Sequence, residues 1–254
     1  MSRLTIALLA TLLLGSVSAR ADGPAKTPPP DEDPKSKALI NRPHTIAELE
    51  MGIIALPNAP ISSGQRGGSA PLFQIGKGDA TVQTGLHLLY RAGGDLAFGA
   101  GFSFAPRPTS DPDYGIGGLS GLPRTHSRSY LLIGTEGRYI PFHTRSFEAW
   151  VGLVAGGVVI ADRFSTTATT ERDKVPTILG VREVTIRTEG FAVGVQAGGS
   201  YIITDRWVAG VAFRIDRWLL PNSPQCSPIG DCATLTGTVA AFETGLTIGY
   251  RLPL

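Results

Sequence analysis

A chain of 254 residues can hold one large β domain or two ordinary ones, and its 32 glycines, 2 methionines and 17% charged residues exclude a typical helix-rich soluble protein. The formal charge of +2 comes from Arg3 and Arg20. Beyond the first 21 residues, 21 basic side chains meet 21 acidic ones, so there is no basic footprint for a nucleic-acid partner.

The N-terminus has the three parts of a secretory signal. Arg3 is the charged region, Leu4 to Leu14 the apolar run, and Ala19-Arg20-Ala21 a small-x-small cleavage site. The run falls short of the ~20 residues of a spanning helix, so residues 1–21 are expected to be removed and the chain to leave the cytoplasm. Residues 22–43 carry Pro24, Pro28, Pro29, Pro30, Pro34 and Pro43 among Asp31, Glu32, Asp33, Lys35 and Lys37. Such a segment cannot bury enough apolar surface to fold and is expected to be an extended linker.

From residue 44 to 254 the side chains alternate with the strand period of two. Thr45–Leu56 sets Ala47, Leu49, Met51 and Ile53 against Glu48, Glu50 and Gly52. Ala80–Arg91 sets Val82, Thr84, Leu86, Leu88 and Tyr90 against Gln83, Gly85, His87 and Arg91. After Gly93-Gly94-Asp95, Leu96, Phe98, Ala100, Phe102 and Phe104 oppose Ala97, Gly99, Gly101 and Ser103. Ser127–Ile140 sets Leu131, Ile133 and Tyr139 against Glu136 and Arg138. Phe147–Ala161 is apolar on both faces and leaves its register open; an inward Trp150 would block any lumen at that level. Its stretch from Ala149 to Ala161 is too short for a spanning helix, and its valines and glycines suit a strand.

Ile186–Ile203 is read with Phe191, Val193, Val195, Ala197 and Tyr201 against Arg187, Glu189, Gly194, Gln196 and Gly198, and the next segment with Trp207, Ala209, Val211, Phe213 and Ile215 against Arg206, Gly210, Arg214 and Asp216. The last segment, Thr236–Leu254, opposes Phe242, Leu246, Ile248, Tyr250, Leu252 and Leu254 to Gly237, Glu243, Gly245, Gly249 and Arg251.

In these segments large apolar residues share one face, while charges sit among glycines on the other. A soluble sheet does the reverse, so the pattern predicts an all-β, eight-stranded antiparallel up-and-down barrel with lipid outside. Connections at roughly 57–79, 107–126, 162–185 and 217–235 are long and polar, and those between them short. Short periplasmic turns and long extracellular loops give that asymmetry, and closure satisfies every backbone group in lipid. A soluble exported β protein is the alternative architecture.

On these segments the chain resembles the small eight-stranded outer-membrane proteins of Gram-negative bacteria, the OmpA, OmpX and OmpW type. The resemblance covers residues 44–254 and implies an outer-membrane location with outer-membrane lipid as surroundings; the oligomeric state is left open, with a monomer favoured. It also implies that Leu246, Ile248, Tyr250, Leu252 and Leu254 form the alternating signal read by the barrel assembly machinery, although Leu254 stands where those families usually have an aromatic residue.

An eight-stranded barrel is about wide enough for side chains to fill. Glu48, Glu50, Glu136, Glu189 and Glu243 are therefore expected to pair in the lumen with Arg91, Arg138, Arg187, Arg214 and Arg251, because an unpaired buried charge costs several kcal/mol. Cys226 and Cys232 are the two cysteines of an exported chain and are expected to close a loop disulfide. No catalytic, cofactor or metal site is expected. His126, Ser127 and Ser129 come nearest to the His and Ser of barrel lipid hydrolases, with no acidic partner assignable. Gly115, Gly117, Gly118 and Gly121 lack the strand-to-helix setting of a phosphate loop. The expected function is a non-enzymatic outer-membrane barrel acting in envelope structure or through its loops. A lipid-modifying barrel enzyme and a narrow conduit for small hydrophobic molecules are the alternatives.

Overall fold

The computed structural model describes residues 43–62, 74–106, 115–116, 123–165, 183–227, 232–233 and 235–253. The expected signal peptide, the linker up to residue 42, Leu254 and the glycines Gly117, Gly118 and Gly121 lie outside them. Among the described residues the chain is all strand and turn: β1 (His44–Ser62), β2 (Gln74–Arg91), β3 (Leu96–Ala105), β4 (Gly115–Ile116), β5 (Pro123–His143), β6 (Phe147–Ser165), β7 (Glu183–Ile202), β8 (Trp207–Leu219) and β9 (Thr238–Pro253). Eight of these form one antiparallel sheet, closed on itself by pairing of β3 with β5 and of β1 with β9. The two-residue β4 stands apart, paired to Pro123 and Arg124 at the start of β5.

The paired residues fix the barrel's dimensions. From Thr45 the register runs through Tyr90, Phe98, Gly137, Leu153, Val195, Ile215 and Phe242 and returns to β1 at Ala55, ten residues along. With strands ~4.8 Å apart and ~3.3 Å per residue, that offset gives a tilt of about 40° and a backbone radius of about 8 Å. Thr45 to Ala55 then rises about 25 Å, the height of the apolar band of an outer-membrane barrel.

Short turns join β2 to β3, β5 to β6 and β7 to β8. Gly93 and Gly94 supply positive φ angles of 100° and 75° in the first. The other two share a device: the hydroxyl of Thr144 accepts from the backbone N–H of Phe147, and that of Thr204 from Trp207, each at 3.0 Å. His44 and Pro253 pair at this same end.

The strands outrun their expected limits at the opposite end. β1 and β2 remain paired out to Ser62 and Gln74, and β5 and β6 out to Thr125 and Ser165, within stretches expected to be loop. The ladder continues there although the outward residues are no longer apolar, as at Arg163. His44 opens β1, as the expected barrel boundary at residue 44 requires, and is buried. Between β8 and β9, Cys226 and Cys232 form the expected disulfide, and Ala233 and Leu235 behind it are fully buried.

Candidate functional site

On β5, from the turn end upward, the inward side chains are Arg138, Glu136, Gly134, Leu132, Tyr130, Arg128 and His126; on β6 they are Glu148, Trp150, Gly152, Val154, Gly156, Val158, Ile160, Asp162 and Phe164. The lumen is thus layered: polar, apolar, then polar again.

Nearest the turns, Glu148 accepts from Arg91 Nη1 at 2.7 Å and from Arg251 Nη2 at 2.8 Å. One level up, both oxygens of Glu48 accept from Arg138, at 2.9 and 3.0 Å, and Arg138 Nε donates to Glu136 at 3.0 Å. The same guanidinium lies 4.0 Å from the ring centroid of the inward Trp150, a cation–π contact. Glu136 also accepts from Gln196 Nε2 at 2.7 Å. His87 bridges two carboxylates, with Nδ1 2.7 Å from Glu136 and Nε2 3.2 Å from Glu50. Higher still, Arg214 Nε lies 2.7 Å from Asp216, and Gln83 Nε2 donates to Glu243 at 3.0 Å.

Glycines in the wall make these networks possible. A Cβ on Gly101 would meet the His87 ring, one on Gly245 the Glu50 carboxylate, one on Gly194 the Asp216 carboxylate and one on Gly198 the Trp150 ring. Inside a backbone cylinder about 8 Å in radius, a long side chain lies flat only where the facing residue has none. A cavity of about 20 Å³ remains beside Gly134 and Gly156, lined also by His87, Ser103, Glu136 and Arg214. It has room for about one water.

Above these networks, Ile54, Leu56, Tyr130, Leu132, Val158, Ile160, Trp218 and Leu235 form an apolar plug. Above the plug, Tyr130 donates to Asp79 at 2.5 Å, and Asp162 Oδ1 holds Arg128 Nε at 2.8 Å and His126 Nε2 at 2.6 Å. The His126 ring stacks on Phe164 at 4.4 Å. His126 therefore has an acidic partner that the sequence did not reveal. Ser127 and Ser129 alternate away from it to the outer face, so the wall separates this His from both serines.

The lumen holds Glu48, Glu50, Glu136, Glu243, Arg91, Arg138, Arg214 and Arg251 as expected. Arg187 and Glu189 do not belong to it. Their strand pairs with β6 without a break from Glu183 to Tyr201, so they share the outer face with Phe191 and Val193, and both are exposed. Glu148 and Asp162 are further inward acids, the first in the segment whose register the sequence left open, the second in the stretch expected to be a loop from residue 162.

The outer face is the reverse. Leu49, Met51, Ile53, Val82, Leu86, Leu88, Phe98, Ile133, Leu153, Val195, Phe213, Ile215 and Leu246 are 45% to 69% exposed, while Arg91, Glu136, Arg138 and Asp162 are 0% to 7% exposed. At the turn end the belt is edged by Tyr90, Tyr139, Tyr201 and Trp207, with Trp207 packed edge-on against Tyr250 at 4.9 Å; such aromatics mark a membrane interface. Charges inside and bare hydrocarbon outside are stable only in a bilayer. The fold is that of a small eight-stranded outer-membrane β-barrel.

Solved barrels of this kind are similar to the chain. Neisserial surface protein A matches over 83% of this chain and 97% of its own at 13% identity, with a TM-score of 0.49. A major outer-membrane protein of Thermus thermophilus matches over 81% and 99% at 12% identity, with 0.47, and OprG of Pseudomonas aeruginosa over 84% and 99% at 13% identity, with 0.43. The assignment of the fold rests on this barrel's own register, lumen and belt. No protein-family model and no curated protein matches the chain.

Proposed function

We propose that the chain is a non-conducting, non-enzymatic integral protein of the bacterial outer membrane, whose turns face the periplasm and whose long connections face outside. Its role is to stabilise the envelope and present surface loops. The observation that carries this is the filled lumen: among the described residues, paired charges and then the plug of Tyr130, Trp218, Leu132 and Ile160 lie in series along the barrel interior. A hydrated ion would have to break buried charge pairs, each costing ~3–5 kcal/mol to disrupt, and then enter hydrocarbon. The outward residues Leu246, Ile248, Tyr250 and Leu252 of β9 support the proposal that the assembly machinery recognises this strand, with Leu254 completing the signal.

Reconstitution of the folded protein into planar bilayers tests the proposal. Expected are no resolved conductance steps, heat-modifiable migration on SDS gels and recovery in the outer-membrane fraction. Steady ion-selective steps would overturn the non-conducting role. Migration indifferent to boiling, in a soluble fraction, would overturn the membrane location.

A further inference from the structure

The geometry points to a lipid-binding site on the outer wall: Arg217 of β8 holds the anionic phosphate of a membrane lipid headgroup at the loop-side boundary of the belt. This rests on the transmembrane reading and adds a ligand to it.

Among the described residues, the outward face carries no ionisable side chain of Asp, Glu, Lys, Arg or His along the belt until Arg217. Arg217 is exposed between Ile215 and Leu219, themselves 51% and 47% exposed. Its register partners are Val193 on β7 and Ala240 on β9. Leu219 and its partner Phe191 lie further toward the loops, so Arg217 starts below the edge of the hydrocarbon. Nothing apolar beside it satisfies a guanidinium, and an uncompensated charge facing lipid costs several kcal/mol.

The other outward charges do not compensate it. Arg163 is held by Glu183 at 2.5 Å. Arg187 and Glu189 lie two residues apart on the same face of β7, past Phe191. Among these outward charges of β6, β7 and β8, three arginines meet two glutamates, and Arg217 is the surplus cation, lowest in the belt. A long side chain rooted in hydrocarbon extends its head toward the interface, where the available anions are lipid phosphates. The guanidinium fork matches phosphate oxygens in pairs. Thr238, exposed on the same face of β9 and paired with Leu219, offers a hydroxyl one step nearer the loops. Outward described residues at this level on other staves, such as Ala55 on β1, Ala80 on β2 and Ser129 on β5, are uncharged, so the site is confined to one side of the barrel.

The test uses the full folded chain in neutral detergent, offered phosphatidylglycerol and a diacylglycerol with the same acyl chains, with retained lipid counted by native mass spectrometry. Phosphatidylglycerol is expected to be retained preferentially, and Arg217→Gln to lower its retention about fivefold, the effect of ~1 kcal/mol per basic residue near an anionic surface. Arg163→Gln, which breaks an existing ion pair, is expected to leave it unchanged, and Arg217→Lys to preserve most of it. In the unaltered chain the preference should weaken as salt rises. Equal retention of both lipids, a preference indifferent to salt, or full retention in Arg217→Gln overturns the site. A chain that never shows heat-modifiable folding overturns the barrel reading instead, so the two failures are distinguishable.

Discussion

Glu136 accepts from Arg138 and Gln196 and lies against His87, three partners on three other positions of the wall. Removing its charge leaves the guanidinium and the imidazole buried without it, so Glu136→Ala is expected to destabilise the barrel by ~3–5 kcal/mol in urea-unfolding titrations. Thr135, its outward neighbour, makes one long hydrogen bond of 3.4 Å to Ala155 O at an exposed position, and Thr135→Ala should cost less than about 0.5 kcal/mol. Equal effects would contradict the assignment of faces. Gly194→Ala offers a complementary check, because its new methyl would collide with the Asp216 carboxylate. Overpacking of that kind costs ~1–3 kcal/mol, against the gain an exposed strand normally takes from losing a glycine. The glycines were visible in the sequence as companions of the charges. Which glycine seats which side chain depends on pairs such as Gly194 and Asp216, and only the register of β7 against β8 brings them together.

The staves of the barrel were legible wherever lipid touches them, because the bilayer demands large apolar residues at every second position. Beyond the belt that demand ends while the hydrogen-bonded ladder goes on. Residues 57–62 and 162–165 therefore read as loop, and Arg187 and Glu189 as lumen charges, since an outward charge is costly in lipid. β6 was opaque for a different reason: Val158 and Ile160 fill the plug and Val154 is buried below it, while Val151 and Leu153 meet lipid from outside, so neither face is polar along most of the strand. Its inward acid Glu148 went unassigned with it, and Asp162 fell in the stretch read as loop. The cysteine pair was readable from export and spacing alone. The connection it closes also contributes Ala233 and Leu235 to the interior, with Ala233 N donating to Gln225 O at 2.8 Å. Cys226→Ser should leave the barrel folded and heat-modifiable but speed proteolytic cleavage between β8 and β9. Loss of the folded form would show that the loop holds the staves together.

For the molecule as a whole, one offset of ten residues round the sheet sets both radius and height, and so decides that side chains, not water, occupy the interior. The central claim is the inversion: hydrocarbon on the outer face, packed protein within. Methyl-detected NMR of the unaltered chain folded in micelles tests it most directly, through NOEs from detergent acyl chains. Contacts are predicted to Leu86, Leu153, Val195, Ile215 and Leu246, and none to Leu132, Val158, Ile160 or Leu235. Acyl-chain contacts to this second set, with the first in contact with water, would contradict the account.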